Sequence, residues 1–196
     1  MRKFKTDERL KKINDAAASR QHTLRVVCEN IHDPHNVSAI FRTCDAVGVA
    51  KITLLYTVEG FPRISKVSSA SANKWIEIEK FNDAKSCVDS LKKEGFKIYS
   101  SYLDKNAKNL YDLDLTKKIA LVLGNEHRGV SEDVKEMSDE IFYIPMRGMI
   151  QSLNVSVAAA VVLYEAQRQR VLKGMYNKSD LSQKELDNLI DQWCNK

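Results

Sequence analysis

The sequence predicts an α/β fold, a mostly parallel sheet with helices on both faces. Three observations lead there. Short apolar runs that read as strands alternate along the chain with segments of helical period. One of these runs, IALVL at 119–123, is unbrokenly apolar, as a strand covered on both faces is. The length of 196 residues, with 43% hydrophobic and 29% charged, suits one domain with modest extensions that can bury its own core.

In chain order, residues 1–22 read as a basic helical extension. A strand at 24–31 is stopped by Pro34. In NVSAIFRTCDAVG, Val37, Ile40, Phe41, Cys44 and Val47 share one helical stripe; Asn36 can cap that helix and Gly48 ends it. At about 100° per residue, Arg42 falls roughly opposite the stripe, on the face of Ser38 and Asp45. The next strand is 51–58. A polar, Ser-rich stretch with Arg63 and Lys66 leads to a strand at 75–81, an amphipathic helix closed by Gly95, and a strand at 96–103. After a looser segment come a strand at 118–126, a short helix at 131–140, a strand at 141–146 and a long helix closed by Gly174. Residues 182–196 begin with a capping box, Ser182 to Glu185. The boundaries expected are an extension at 1–22, the main domain at 23–174 and a helical extension at 175–196.

Composition excludes several classes. The four cysteines are scattered without a C-x-x-C pair, so they read as reduced thiols rather than a disulfide framework or a zinc site. His32 and His35 lack further ligands, and no metal is expected. The charged N-terminus has no signal-peptide core, and the longest apolar run, VAAAVVLY, falls far short of the roughly 20 residues that span a bilayer. A cytoplasmic protein without a membrane partner is expected, so the sequons Asn36-Val37-Ser38 and Asn154-Val155-Ser156 are not glycosylation sites. GNEHRGVS has the glycine spacing of a phosphate loop but carries Val130 where the lysine must be, and G-x-G-x-x-G is absent. An NTPase is thereby rejected and a dinucleotide dehydrogenase disfavoured. Residues 1–25 hold eight basic and three acidic side chains, an excess equal to the +5 of the whole chain. Such an arm suggests a polyanion partner; a solvated helix with an uneven face is the other reading.

Ligands of a parallel sheet lie beyond the carboxyl ends of its strands. Three segments there are unusual. ENIHDPHNVSAIFR brings Asn36 and Arg42, LVLGNEHRGVS brings Gly124 and Glu126, and IPMRGMIQSLNVSVAAA crowds Gln151, Ser152 and Asn154 at one helix start. A cap, a surface ion pair and a dipole-complementing acid account for Asn36, Arg42 and Glu126 taken singly. Three polar side chains at one helix start exceed what capping needs.

In this order the three segments resemble the three motifs of the SpoU group of RNA ribose 2′-O-methyltransferases, part of the knotted SPOUT superfamily. The likeness covers residues 24–173. Within the group it is nearest to the branch that methylates guanosine 18 of tRNA, through RTCDAVGV, GMIQSLNVSVAAA, YEAQRQR and the helical extensions at both ends. The variations NIHDPHN and NEHRGVS leave the key positions intact.

The resemblance implies a trefoil knot in the C-terminal part of the sheet, a rare exception to the rule against knots. It implies S-adenosylmethionine as methyl donor, S-adenosylhomocysteine as product, and cofactor contacts from Ser101, Gly124, Ile144 and Leu153. It implies a homodimer whose active site lies at the interface, with Asn36 from one subunit and Asn154 from the other facing one ribose. The alanines at 158–160 suit close helix packing there. Arg42 is the expected catalytic centre, supported by Asn36, Glu126, Ser152 and Asn154, with Glu126 holding its guanidinium. The family proposal makes this arginine a general base. A pKa above about 12 argues instead for a cation that binds phosphate and stabilises the developing alkoxide. The basic arm becomes a tRNA surface through Arg9, Lys11, Lys12 and Arg20, joined by Arg63 and Lys66. The rivals are a sister enzyme acting on rRNA or on the tRNA wobble ribose, and an inactive RNA-binding protein of the same fold.

Overall fold

A computed structural model describes residues 2–62 and 72–196. After a 3-10 turn at Arg2–Phe4, the basic segment forms α1 (Asp7–Ala18), capped by the Thr6 hydroxyl. There follow β1 (Gln21–Glu29), α2 (Pro34–Ala46), β2 (Val49–Leu55), β3 (Glu77–Phe81), α3 (Ala84–Lys93), β4 (Lys97–Ser101), β5 (Lys108–Asn109), β6 (Ile119–Leu123), α4 (Glu132–Glu136), β7 (Glu140–Tyr143), α5 (Val155–Leu172) and α6 (Gln183–Cys194). The seven strands form one parallel sheet in the order β3-β2-β1-β6-β4-β7-β5.

Alternation along the strands builds a core on each face. Leu24, Val26 and Cys28 of β1 and Ile119, Leu121 and Leu123 of β6 pack with Ile40 and Phe41 of α2 and with Ala159, Val162 and Leu163 of α5. Val27, Ala120 and Val122 point the other way, against Val88 and Leu91 of α3 and Val134 of α4. The predicted sheet with helices on both faces is thus observed. A third cluster joins the extensions: Ile13 and Ala17 of α1 meet Ile190, Trp193 and Cys194 of α6. Arg2 adds an ion pair to Asp191 at 2.6 Å.

Several boundaries differ from those read in the sequence. Trp75 and Ile76 precede β3 rather than belonging to it, because residues Ala72–Lys74 make a 3-10 turn. β5 is two residues long, too short to leave a periodic signal. β7 ends at Tyr143, which frees the following residues to form a long loop before α5. At the end of α2, Gly48 has φ +82°, and a Cβ there would lie 2.8 Å from the Ser19 carbonyl oxygen, so the stop read in the sequence also needs glycine for space. The capping box of α6 forms as expected, and all four cysteines are free and buried.

Arg170, in the YEAQRQR segment, is fully buried. Its five N–H groups donate to the carbonyls of Leu115, Thr23 and Lys117, the Gln21 side chain and the Thr23 hydroxyl, at 2.7–3.1 Å. Burial lowers its pKa from the ordinary arginine value, and full hydrogen bonding to neutral acceptors is what keeps the charge tolerable there. This one side chain ties α5 to the start of β1 and to the segment before β6. Among the described residues no helix is long and apolar enough to cross a membrane, and no His/Cys/Asp/Glu group is arranged to hold a metal.

Candidate active site

Strand order reverses beside β1. β2 and β3 extend to one side, while β6 and β4 lie on the other. A crevice at the carboxyl ends is expected at such a switch point, and the sequence-predicted residues gather there. A cavity of about 560 Å³ is lined by Ser101, Leu103, Gly124, Glu126, Ser152, Leu153 and Asn154, among others. Its volume suits a cofactor-sized ligand. Gly124 lies at this wall, yet its main constraint is internal. A Cβ would fall 2.1 Å from the Gly129 carbonyl carbon, so glycine is needed where the 125–129 turn folds back on itself. Ile144, expected at the cofactor, is absent from the lining; it packs against the main core, because β7 ends just before it and the chain turns inward. A larger hollow of about 660 Å³ lies across the 125–129 turn, lined by Glu29, Asp83, Asp133 and Glu136, and contains none of the predicted site residues.

Asn36 does not cap α2. Asp33 does, its carboxylate accepting the His35 amide at 2.8 Å, with Pro34 in the first helical turn. The cap moves upstream because an aspartate three residues earlier already has extended geometry next to a proline. Asn36 is thereby released, and its Nδ2 donates to Glu126 Oε1 at 2.8 Å. Glu126 also accepts the His32 amide at 2.9 Å and the Asp33 amide at 3.3 Å. Burial pushes this carboxyl's pKa up, but the hydrogen bonds from Asn36, His32 and Asp33 outweigh it and hold the group below its ordinary value. Asn154 does cap its helix: its Oδ1 accepts the Ser156 amide at 2.9 Å. Its Nδ2 donates to Asn36 Oδ1 at 3.1 Å.

The polarity of this chain of bonds follows from one charge. A carboxylate can only accept, so Asn36 must turn its NH2 to Glu126 and its oxygen to Asn154. Each amide nitrogen carries a second N–H beyond these bonds. Asn154 lines the cavity and Asn36 lies directly behind it, so two oriented donors stand beside the cavity. The two asparagines meet within a single chain, which corrects the expectation that they come from different subunits. The expected meeting of the two asparagines is thus observed, but across 118 positions of one chain.

The expected Glu126–Arg42 pair is also absent, since Glu126 is engaged by Asn36 and the loop before α2. Arg42 lies farther along α2, exposed and outside the cavity lining. Among the described residues it has no hydrogen bond or ion pair. Ser38, read as sharing its open face, is buried. Of the expected RNA surface, Arg9, Lys11 and Lys12 are exposed, with Lys11 paired to Asp15 at 2.6 Å. Arg20 is not on that surface. It is 3% exposed, ion-paired to Asp45 and bonded to the Val49 carbonyl at 3.1 Å, because the chain enters β1 there and turns its side chain under α6. Arg63 and Lys66 lie outside the described residues.

Residues 23–164 match the SpoU rRNA Methylase family. The chain belongs to this family. It is 41% identical over 188 residues to the tRNA (guanosine(18)-2′-O)-methyltransferase of Aquifex aeolicus, covering 96% of this chain and 89% of that protein. The Thermus thermophilus protein of the same name is 40% identical over 192 residues, covering 98% of each. The crystal structure of the A. aeolicus TrmH/SpoU tRNA modifying enzyme superposes with a TM-score of 0.90 at 40% identity over 96% of both chains. The SpoU match includes β1, α2, β6 and the first half of α5, which together carry the Asn36–Glu126–Asn154 chain.

Proposed function

We propose that this SpoU-family protein transfers a methyl group to the ribose 2′-hydroxyl of guanosine 18 in tRNA. The observation that carries the reading is the Glu126–Asn36–Asn154 chain at the rim of the 560 Å³ cavity. The preference for tRNA over rRNA or the wobble ribose rests on likeness that runs through both terminal helices. In this reading the main domain is 23–174, its C-terminal part carries the trefoil knot, the two extensions contact tRNA, and the protein works in the cytoplasm as a homodimer.

The cavity fits S-adenosylmethionine in size and in its lining by Ser101 and Gly124 at strand ends and Leu153 in the loop before α5, positions that can present backbone groups. That group, when bound, supplies an electrophilic sulfonium methyl. Glu126 stays ionised and fixes Asn36; Asn36 fixes Asn154; their remaining N–H groups, with Ser152, hold ribose or phosphate oxygens at the rim. The 2′-hydroxyl must lose a proton, and Arg42 stabilises the alkoxide as a cation while a phosphate or water accepts the proton. Arg42 cannot do this in its own chain's cavity, so Arg42 of the partner subunit does it. An exposed apolar stripe on α5, with Val157, Tyr164, Val171 and Leu172, is the surface that a second copy covers.

The test is to incubate the protein with labelled S-adenosylmethionine and separate pools of unmodified tRNA and rRNA, then map the methylated nucleotide. Label on the ribose of guanosine 18 is expected. Label confined to rRNA or to the wobble ribose would transfer the protein to a sister activity, and no label on either pool would leave an RNA-binding protein of the same fold.

A further inference from the structure

The two extensions do more than pack on each other. Where α1 and α6 meet the 3-10 turn before β3, they enclose a cleft with two lobes. One lobe, of about 250 Å³, is lined by Arg9, Lys12, Ile13, Arg20, Trp75 and Trp193. The other, of about 230 Å³, adds His22, Gln192 and Lys196. The rings of Trp75 and Trp193 meet edge to face at 5.3 Å, with the Arg9 guanidinium 5.3 Å from the Trp75 ring centre and that of Arg20 5.0 Å from Trp193.

Three features distinguish this cleft from ordinary packing. Trp75 is only half-buried, and Arg9, which lies over its ring, and Lys12 are exposed, so part of an aromatic ring and two cations are accessible together. Among the described residues, Arg20 Nε and His22 Nε2 are buried in the lining without a hydrogen-bond partner. Positive charge is also crowded: burial and the neighbouring Arg20 charge hold the Lys196 ammonium below its ordinary pKa. An anion would relieve that crowding, and a flat ring would find a stacking partner. Asp45, the ion-pair partner of Arg20, lines the first lobe and stands one helical turn beyond Arg42 on α2. The cleft therefore opens near the residue that the proposed dimer lends to its partner's active site.

We propose that this cleft is a nucleotide subsite. It takes one unpaired nucleotide of the RNA substrate, its base stacked on Trp75 and its phosphate held by Arg9 and Lys12. It deepens the proposed function, on which it rests for the identity of the RNA. The subsite lies at the amino ends of β1 and β2, about 26 Å along β1 from the carboxyl edge at about 3.3 Å per residue. It engages RNA away from the cavity of its own chain.

Both tryptophans of the protein line the cleft, so intrinsic fluorescence reports on it alone. The experiment titrates the full-length protein with unmodified tRNA transcript and, separately, with guanosine monophosphate, alongside steady-state methylation by Trp75→Leu, Trp75→Phe and Lys12→Glu. The subsite requires that tRNA quench the emission. It requires Trp75→Leu to raise KM for tRNA about tenfold with kcat and KM for S-adenosylmethionine unchanged, Trp75→Phe to restore most of the loss, and Lys12→Glu, a surface change, to raise KM for tRNA as well. Unchanged emission when tRNA is bound, or wild-type KM for tRNA in folded Trp75→Leu or Lys12→Glu, overturns it. Quenching by guanosine monophosphate but not by tRNA overturns it too, in favour of a free-nucleotide site. Methylation of guanosine 18 with unaltered KM in Trp75→Leu breaks this inference alone; Trp75-dependent tRNA binding without methylation breaks the functional reading alone.

Discussion

The two ends of α2 are built on opposite principles. At the first, every group is committed: Asp33 caps the helix, Glu126 accepts three donors, and Asn36 passes the order on to Asn154. At the second, Asp45 is used by Arg20 while Arg42, one turn before it, has no partner among the described residues. A saturated network fixes geometry but offers only two amide donors. A spare cation offers charge, but among the described residues of its own chain it has nothing on which to use it. The difference fits the proposed reading, in which one chain holds two half-sites and a second copy brings them together.

The largest expected effect comes from removing the cation. Arg42→Ala should lower kcat about 100- to 1,000-fold, the range seen when a preorganised stabiliser of developing oxyanion charge is deleted. Its melting temperature should match wild type, because the exposed side chain has no hydrogen bond or ion pair among the described residues. Arg42→Lys should also lose rate, since an ammonium lacks the guanidinium fork; near wild-type turnover there would show that charge alone suffices.

Next is the anion that sets the network. Glu126→Ala leaves Asn36 and two loop amides without their acceptor, and should lower kcat about 100-fold through misplaced donors. It should also destabilise the protein by about 1–3 kcal/mol, read from denaturant melts. Equal stability with full activity would reduce the network to decoration.

Asn154→Ala mixes the two roles. Loss of the cap should cost about 1 kcal/mol, and turnover should fall about tenfold, an order-of-magnitude figure for one hydrogen bond. Normal kinetics with only the stability loss would leave Asn154 as a cap.

How much of this was legible can be judged residue by residue. Apolar runs alternating with helical periods revealed the sheet, and the unbroken run of β6 its covered centre, because both signals are local. The carboxyl-edge cluster was legible because Gly124 and Glu126 sit just past an apolar run, and Ser152 and Asn154 crowd the start of an apolar helix. What failed was partner choice. The sequence offers Arg42 to Glu126 as the natural counter-charge, yet the fold delivers Asn36, since α2 runs away from the site by about 1.5 Å per residue. Arg20 looked like one more cation in a basic arm, but it stands where the arm enters the sheet and is consumed by Asp45. Asn36 reads as a cap when Pro34 is taken only as the end of the strand, whereas Asp33 and Pro34 together supply a stronger helix start.

The smallest effect is that of pH. The folded pKa of Glu126 is depressed, so its stabilising contribution is present above the unfolded glutamate value, about 4.3, and is lost as pH falls through the folded value. Glu126→Gln should melt below wild type at neutral pH, and the gap should narrow toward pH 3. A gap independent of pH would mean that the carboxylate is not what its neighbours hold.

The shared site is tested most directly by mixing two impaired variants. Arg42→Ala and Asn154→Ala chains, each reduced alone, are co-expressed under different tags and the mixed dimer is isolated. If Arg42 serves the partner's Asn154, one of the two sites in that dimer is intact, and methylation of tRNA should return to about half the wild-type rate per dimer. If Arg42 acts within its own chain, both sites carry one lesion and the mixed dimer's rate stays between those of its parents, below about a tenth of wild type.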